Sequence, residues 1–121
     1  MRVLVVEDNE AVAKVVARSL EREGFQVEIV GTAGEGTELA PSVDYSLIIL
    51  DMILPDGRGM SVLRTLRERG SATPVLIVSG EGDVDTITEA LNAGADDYLQ
   101  KPFVDEELRS RVRALFRRRH L

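Results

Sequence analysis

A chain of 121 residues with 44% apolar side chains amounts to one domain, long enough to bury a core of its own. It contains no cysteine, which excludes disulfides, thiolate metal sites and a cysteine nucleophile, and no apolar run approaches the ~20 residues of a membrane span. Six of its 15 basic side chains, all Arg, and none of its 21 acids fall in residues 109–121, so the formal charge of −6 conceals a body of net charge −12, which argues against general nucleic-acid binding by that body.

Val3-Leu4-Val5-Val6 reads as a strand buried on both faces, and it ends in Glu7-Asp8. Met1-Arg2 leads straight into it with no signal-peptide pattern, so a soluble cytoplasmic protein is expected. Over 10–23, Val12, Val15, Val16, Ser19 and Leu20 share one helical face, with Asn9 as N-cap and Gly24 as the stop. Residues 25–30 alternate Phe, Val and Ile with Gln and Glu, as suits an edge strand with one wet face. A short helix over about 33–40 ends at Pro41. Leu47-Ile48-Ile49-Leu50 is the next fully buried strand, and Asp51 follows it directly.

Pro55-Asp56-Gly57-Arg58-Gly59 is a loop rich in breakers, and a helix over 60–69 turns Val62, Leu63 and Leu66 inward before Gly70. Pro74 opens the strand 75–78, which ends in Ser79, and Gly80-Glu81-Gly82 forms a loop. Val84, Ile87, Ala90 and Leu91 mark a fourth helix, closed by Gly94. A short strand near Tyr98-Leu99 precedes Lys101-Pro102, and Leu108, Val112, Leu115 and Phe116 mark the last helix. Its Arg-rich end over 117–121 reads as a helix end suited to the dipole or as the start of a linker, with a nucleic-acid tail as the alternative.

Five strands alternating with five helices predict an α/β fold: a flavodoxin-like (βα)5, doubly wound parallel sheet of order 2-1-3-4-5, as a single domain over 1–121. An ionised carboxylate is costly inside a buried strand, so Asp51 belongs at the strand's carboxyl end, where ligand sites of open α/β sheets gather. Glu7-Asp8, Ser79 and Lys101 occupy the equivalent ends of other strands. Three carboxylates meeting in one crevice repel unless a proton or a cation intervenes. Hard oxygen ligands without nearby His or Cys suggest Mg²⁺. The first βα loop has no glycine and is acidic, so it would repel a bare phosphate, and the single His, His120, is a poor catalyst so near the end.

The segments Val5-Val6-Glu7-Asp8-Asn9, Leu50-Asp51-Met52-Ile53-Leu54-Pro55-Asp56-Gly57, Ile77-Val78-Ser79-Gly80 and the run from Ala93 to Phe103 resemble the receiver (CheY-like) domain of two-component response regulators, over essentially the whole chain. The resemblance implies a phosphorylation-activated signalling switch rather than a conventional enzyme. In it Asp51 would accept a phosphoryl group from the phosphohistidine of a sensor histidine kinase or phosphotransfer protein, and the domain would assist its own phosphotransfer and self-dephosphorylation. Asp8 and Asp51 would bind Mg²⁺ directly, Ile53 through its backbone carbonyl and Glu7 through a water. Lys101 would pair with the phosphoryl oxygens, Ser79 would donate its hydroxyl to them, and Tyr98 would rotate inward as the switch, unless it is a plain core aromatic. The Lys101-Pro102 bond would be cis.

Glu7 stands where the family more often has Asp, and Ile53 where polar residues are common; an apolar Ile53 is expected to shield the phosphoryl group from water. The Gly-Ala-Asp-Asp-Tyr run and the last helix resemble regulators that carry a C-terminal winged-helix DNA-binding effector (the OmpR/PhoB-like group) and form a homodimer through helix four, strand five and helix five. Asp97 with Arg111 and Asp96 with Arg118 would supply ion pairs there, but Ile87, Thr88 and Glu89 give helix four no cation for Glu107. Two rivals stand beside this reading. An aspartyl-phosphate hydrolase would carry a second Asp two residues after the first, where Ile53 lies; a degenerate receiver-like interaction module would lack Asp51, Asp8 or Lys101.

Overall fold

The computed structural model describes residues 1–119; His120 and Leu121, the last residues of the expected linker, lie outside the described residues. Uninterrupted apolar strands require cover on both faces, and the chain supplies it with helices in alternation. The order is β1 (Arg2–Val6), α1 (Glu10–Arg22), β2 (Gln26–Val30), α2 (Ala33–Leu39), β3 (Leu47–Leu50), α3 (Gly59–Glu68), β4 (Val75–Ser79), α4 (Val84–Asn92), β5 (Asp97–Gln100) and α5 (Asp105–Arg119). The five strands are parallel in the order β2-β1-β3-β4-β5, as the sequence predicts. Between β3 and α3, Ile53–Leu54 and Gly57–Arg58 pair as a two-residue antiparallel ribbon that the breaker-rich sequence had suggested only as a loop.

Side chains alternate across the sheet, so each buried strand feeds two cores. Leu4, Val6, Ile48, Leu50, Val75 and Ile77 pack with Met60, Val62, Leu63 and Leu66 of α3 and with Ala33 and Ala90 of α2 and α4. Val3, Val5, Leu47, Ile49, Leu76 and Val78 face the other way, onto Val16 and Leu20 of α1 and Leu108, Val112 and Leu115 of α5. Asn9 caps α1 by accepting the Val12 N–H at 3.1 Å, as its side chain predicts.

Two helices leave part of an expected inward face outside. In α1, Val15 is 51% exposed, while the small residues Ala13 and Ala17 are buried and let the helix approach the sheet closely. In α4 only Ala90 is buried. At about 100° per residue, Leu91 lies about 100° and Val84 about 120° round the helix from Ala90, so both stay outside, Val84 76% exposed. β2 is the edge strand that the alternation predicts, and Ile29 lies exposed on it.

Arg67 closes the far end of this layer. Its guanidinium donates to the carbonyls of Gly94 (2.8 Å), Ser71 (3.0 Å) and Thr73 (2.7 Å) and to the Asp96 carboxylate (3.1 Å), which also accepts the Val75 N–H at 2.8 Å. Within the chain Asp96 thus pairs with Arg67. Replacing Arg67 with Met strips donors from three carbonyls, and urea unfolding is expected to show a loss of about 2–3 kcal/mol.

Candidate functional site

Register brings the acidic strand ends together. Val6 lies opposite Leu50, and the ladder continues one residue further as the Asp51 N–H donates to the Val6 carbonyl (3.0 Å) and the Glu7 N–H to the Val30 carbonyl (2.9 Å). Glu7 and Asp51 therefore emerge side by side from adjacent strands. Ser79 pairs with Gln100, and the Lys101 N–H donates to the Ser79 carbonyl at 2.8 Å, which places the amine at the same edge. The Lys101-Pro102 peptide is cis. Lys101 Nζ donates to Glu7 Oε1 at 2.5 Å and to Asp51 Oδ2 at 3.1 Å.

Carboxylate oxygens of Glu7, Asp8 and Asp51 lie within 4.8 Å of one another, the first and third buried and Asp8 exposed. Ile53 donates its N–H to Asp51 Oδ1 at 3.3 Å, and the residue is 55% exposed beside that carboxylate. Ser79 is fully buried and its Oγ accepts the Glu81 N–H at 3.4 Å. The half-buried Tyr98 donates its hydroxyl to the Glu81 carbonyl at 2.5 Å, so it stands inward in this structure. All seven residues singled out in the sequence thus gather along one edge of the sheet or in the loops above it.

Burial pushes the Glu7 carboxyl up from its ordinary value, and Asp51 beside it adds to the rise, while hydrogen bonds from Lys101 and the Asn9 amide pull the other way. Burial also works against the Lys101 ammonium, but the hydrogen bond to Glu7 and the attraction of Asp51 outweigh it and hold the amine's pKa above its ordinary value. The amine is therefore a cation. Burial likewise raises the Tyr98 hydroxyl, with Ser79 opposing, so it remains a donor. An all-oxygen donor set with one amine beside it suits a hard divalent cation and anionic oxygens.

Several residues that brace the loops around the site were not legible in the chain. Asp56 accepts the N–H groups of Ala33 (2.7 Å) and Gly34 (2.9 Å), tying the loop after Asp51 to the start of α2; these bonds hold its carboxyl below the usual range. Arg58 pairs with Glu81 at 2.9 Å, bridging the loops after β3 and β4. Gly59 is buried against the backbone of Asp51 and Met52. Asp56 and Arg58 rest on partners more than twenty residues away and Gly59 on the backbone seven and eight residues before it, and only the turn composition around Asp56 hinted at a tight loop.

The sequence model of the response regulator receiver domain matches residues 3–113, and the chain belongs to that family. Among curated relatives, the cell cycle transcriptional regulator CtrA of Caulobacter vibrioides is 44% identical over 118 residues, covering 98% of this chain and 51% of the relative. The cell cycle response regulator CtrA of Brucella ovis is 43% identical over the same shares. The chain thus spans about half the length of the curated relatives it matches. Among solved structures, the Francisella response regulator 1452 receiver domain superposes with a TM-score of 0.90 at 33% identity, covering 98% of each chain. The beryllofluoride-activated NtrC4 receiver domain, solved as a dimer, superposes with a TM-score of 0.89 at 31% identity, covering 97% of each chain. Among the described residues no helix is long and apolar enough to cross a membrane.

Proposed function

We propose that this domain works in the cytoplasm and is switched by phosphorylation of Asp51, with the phosphohistidine of a sensor histidine kinase, or of a phosphotransfer protein, as donor. The observation that carries the reading is the Lys101 ammonium bonded to both Glu7 and Asp51 beside the Glu7–Asp8–Asp51 cluster. An Asp51 oxygen forms the new P–O bond as the P–N bond of the phosphohistidine breaks, and the departing imidazole keeps the electron pair and takes a proton from solvent. Lys101 turns its charge to the phosphoryl oxygens, and Ser79 donates its hydroxyl to them. Hydrolysis of the acyl phosphate later returns the carboxylate, and the exposed Ile53 beside it slows the approach of water.

The donor set fits Mg²⁺, which would be held by Asp8, Asp51 and the Ile53 backbone carbonyl and would supply charge neutralisation around the phosphoryl group. Glu7, with one oxygen taken by Lys101 and the other by the Asn9 N–H at 3.1 Å, is suited to act through a water instead. An apolar groove of 430 Å³ lined by Ala11, Val12, Val15, Pro102 and Phe103 opens beside Lys101, and we assign it to the donor's helix, which must come close for in-line transfer. That gives the exposed Val15 a purpose.

Tyr98 and Ser79 carry the change to the face formed by α4, β5 and α5, where Val84 and Leu91 are exposed. Homodimerisation through that face and control of a C-terminal DNA-binding effector are the outputs we favour. In the single chain Arg111 already pairs with Asp97 at 3.0 Å and Glu107 at 3.3 Å, so these charges would repartner in a dimer. The hydrolase reading loses ground because Ile53 holds the position of its second acid. The degenerate-module reading loses ground because Asp8, Asp51 and Lys101 are all in place.

Incubating the domain with Mg²⁺ and acetyl phosphate and weighing it intact tests the assignment. Wild type is expected to gain one phosphoryl group and Asp51→Asn none. An equal gain in both, or none in wild type, would sink it.

A further inference from the structure

Glu81 is bonded in three directions. Its N–H donates to Ser79 Oγ at 3.4 Å, its carbonyl accepts the Tyr98 hydroxyl at 2.5 Å, and its carboxylate accepts from Arg58 Nη2 at 2.9 Å. The first two bonds lie within the switch itself. The third reaches across to the loop that follows Asp51. Residues 80–86 carry three acids, Glu81, Asp83 and Asp85, and no cation. Left alone, the β4–α4 loop would therefore repel itself and the acidic site beneath it. Arg58 supplies the missing charge, and its field also helps hold the Asp83 carboxyl below its ordinary range, after the bonds from Thr86.

The anchor of this arm is well placed. Arg58 lies opposite Ile53 in the small antiparallel ribbon, and directly opposed residues project from the same face. Ile53 is in turn bonded through its N–H to Asp51. A connected path of Asp51, Ile53, Arg58, Glu81 and Tyr98 thus joins the acceptor to the switch over the top of the site, independently of Ser79.

We propose that Arg58 is a positioning residue for the switch: by clasping Glu81 it holds the β4–α4 loop in the arrangement that binds the Tyr98 hydroxyl, and so raises the share of the domain ready for phosphoryl transfer. This rests on the phosphoacceptor reading for its kinetic consequence, but the placement of Tyr98 does not need a phosphoryl group. The pair is partly exposed, with side-chain accessibilities of 54% for Arg58 and 25% for Glu81, so its effect is a bias and not a lock. A bias is sufficient for an equilibrium between two loop arrangements, because any preference of the clasp for one of them appears in full as a population shift.

The test uses Arg58→Ala, Glu81→Ala, the double variant and the charge exchange Arg58→Glu with Glu81→Arg. Tyr98 ring and Glu81 amide NMR shifts report the loop, and the initial rate with Mg²⁺ and acetyl phosphate reports readiness. Each single variant is expected to move the Tyr98 shifts and lower the rate roughly threefold, or about 0.65 kcal/mol at tenfold per ~1.4 kcal/mol. The double variant is expected to be no slower than either single, the exchange to recover at least half of the loss, and molar NaCl to bring wild type to the level of the singles. Unmoved Tyr98 shifts in both singles, or effects that simply add, would overturn the clasp. A wild-type chain that gains no phosphoryl mass would overturn the phosphoacceptor reading instead, and the Tyr98 shifts would still decide whether Arg58 holds the loop.

Discussion

Replacing Lys101 with Met is expected to slow phosphoryl uptake from acetyl phosphate by roughly 10²- to 10³-fold, the range seen when one preorganised donor is removed from a reacting centre. Lys101 is the cation bonded to Asp51 and Glu7, and without it these carboxylates and Asp8 would face an incoming phosphoryl group with no amine to offset their charge. Arg at this position should restore only part of the rate, because a planar fork does not reproduce a point charge between two carboxylates. A Lys101→Met domain that loaded at the wild-type rate, followed by intact mass against time, would remove Lys101 from the mechanism.

The same substitution has a signature in stability. In wild type the Glu7 carboxyl is raised above 4.5, chiefly by burial, so the folded state keeps its proton to higher pH than the unfolded chain. Stability from this group is therefore lost as pH rises through the window above 4.5. Lys101 works in the other direction. Its pKa is raised above 10.5, so its contribution is fully present below 10.5 and is lost only as pH rises through its folded value. Removing the amine takes away the hydrogen bond that holds Glu7 down. The acid-side window should extend upward in Lys101→Met, with urea midpoints falling more steeply from acid to neutral pH than in wild type.

Gly59→Ala is expected to be the most damaging single-methyl change near the site. A Cβ there would lie 2.0 Å from the Asp51 carbonyl oxygen, 3.0 Å from its carbon and 3.1 Å from Met52 Cα, all backbone atoms. The close approach is fixed by the bond from the Gly59 N–H to the Met52 carbonyl at 2.9 Å, so relief requires moving the segment that carries Asp51. A loss of about 3 kcal/mol or more by urea unfolding, or failure to fold, is expected, together with lost phosphoryl uptake in any folded fraction. Gly80→Ala makes the contrast: a Cβ there meets nothing within 4 Å, and its stability should stay within about 0.5 kcal/mol of wild type. Equal tolerance at both positions would show that the loop after Asp51 yields more easily than its contacts imply.

The five strands of the main sheet, the helices and the strand ends could be read from the chain, while the small ribbon at 53–58 could not. Buried strands such as 47–50 declare themselves because they must be apolar on both faces, and a carboxylate is too costly inside them to lie anywhere but at the end. Asp51, Glu7, Asp8, Ser79 and Lys101 were therefore legible as one edge once the strand order was known, and the family resemblance implied the roles proposed for them. What tertiary structure alone decided was which face each helix turned and what the loops held. Val84 and Leu91 belong to an apolar set by composition, yet α4 faces the core through Ala90 and leaves both outside. Asp56 finds its donors 22 and 23 residues upstream, Arg58 its acid 23 residues downstream and Arg67 its Asp96 29 residues on. Periodicity reports only what a residue needs from its own element. Partners of this kind exist only after the sheet has brought distant loops together, and that is a property of packing, not of any local run of residues.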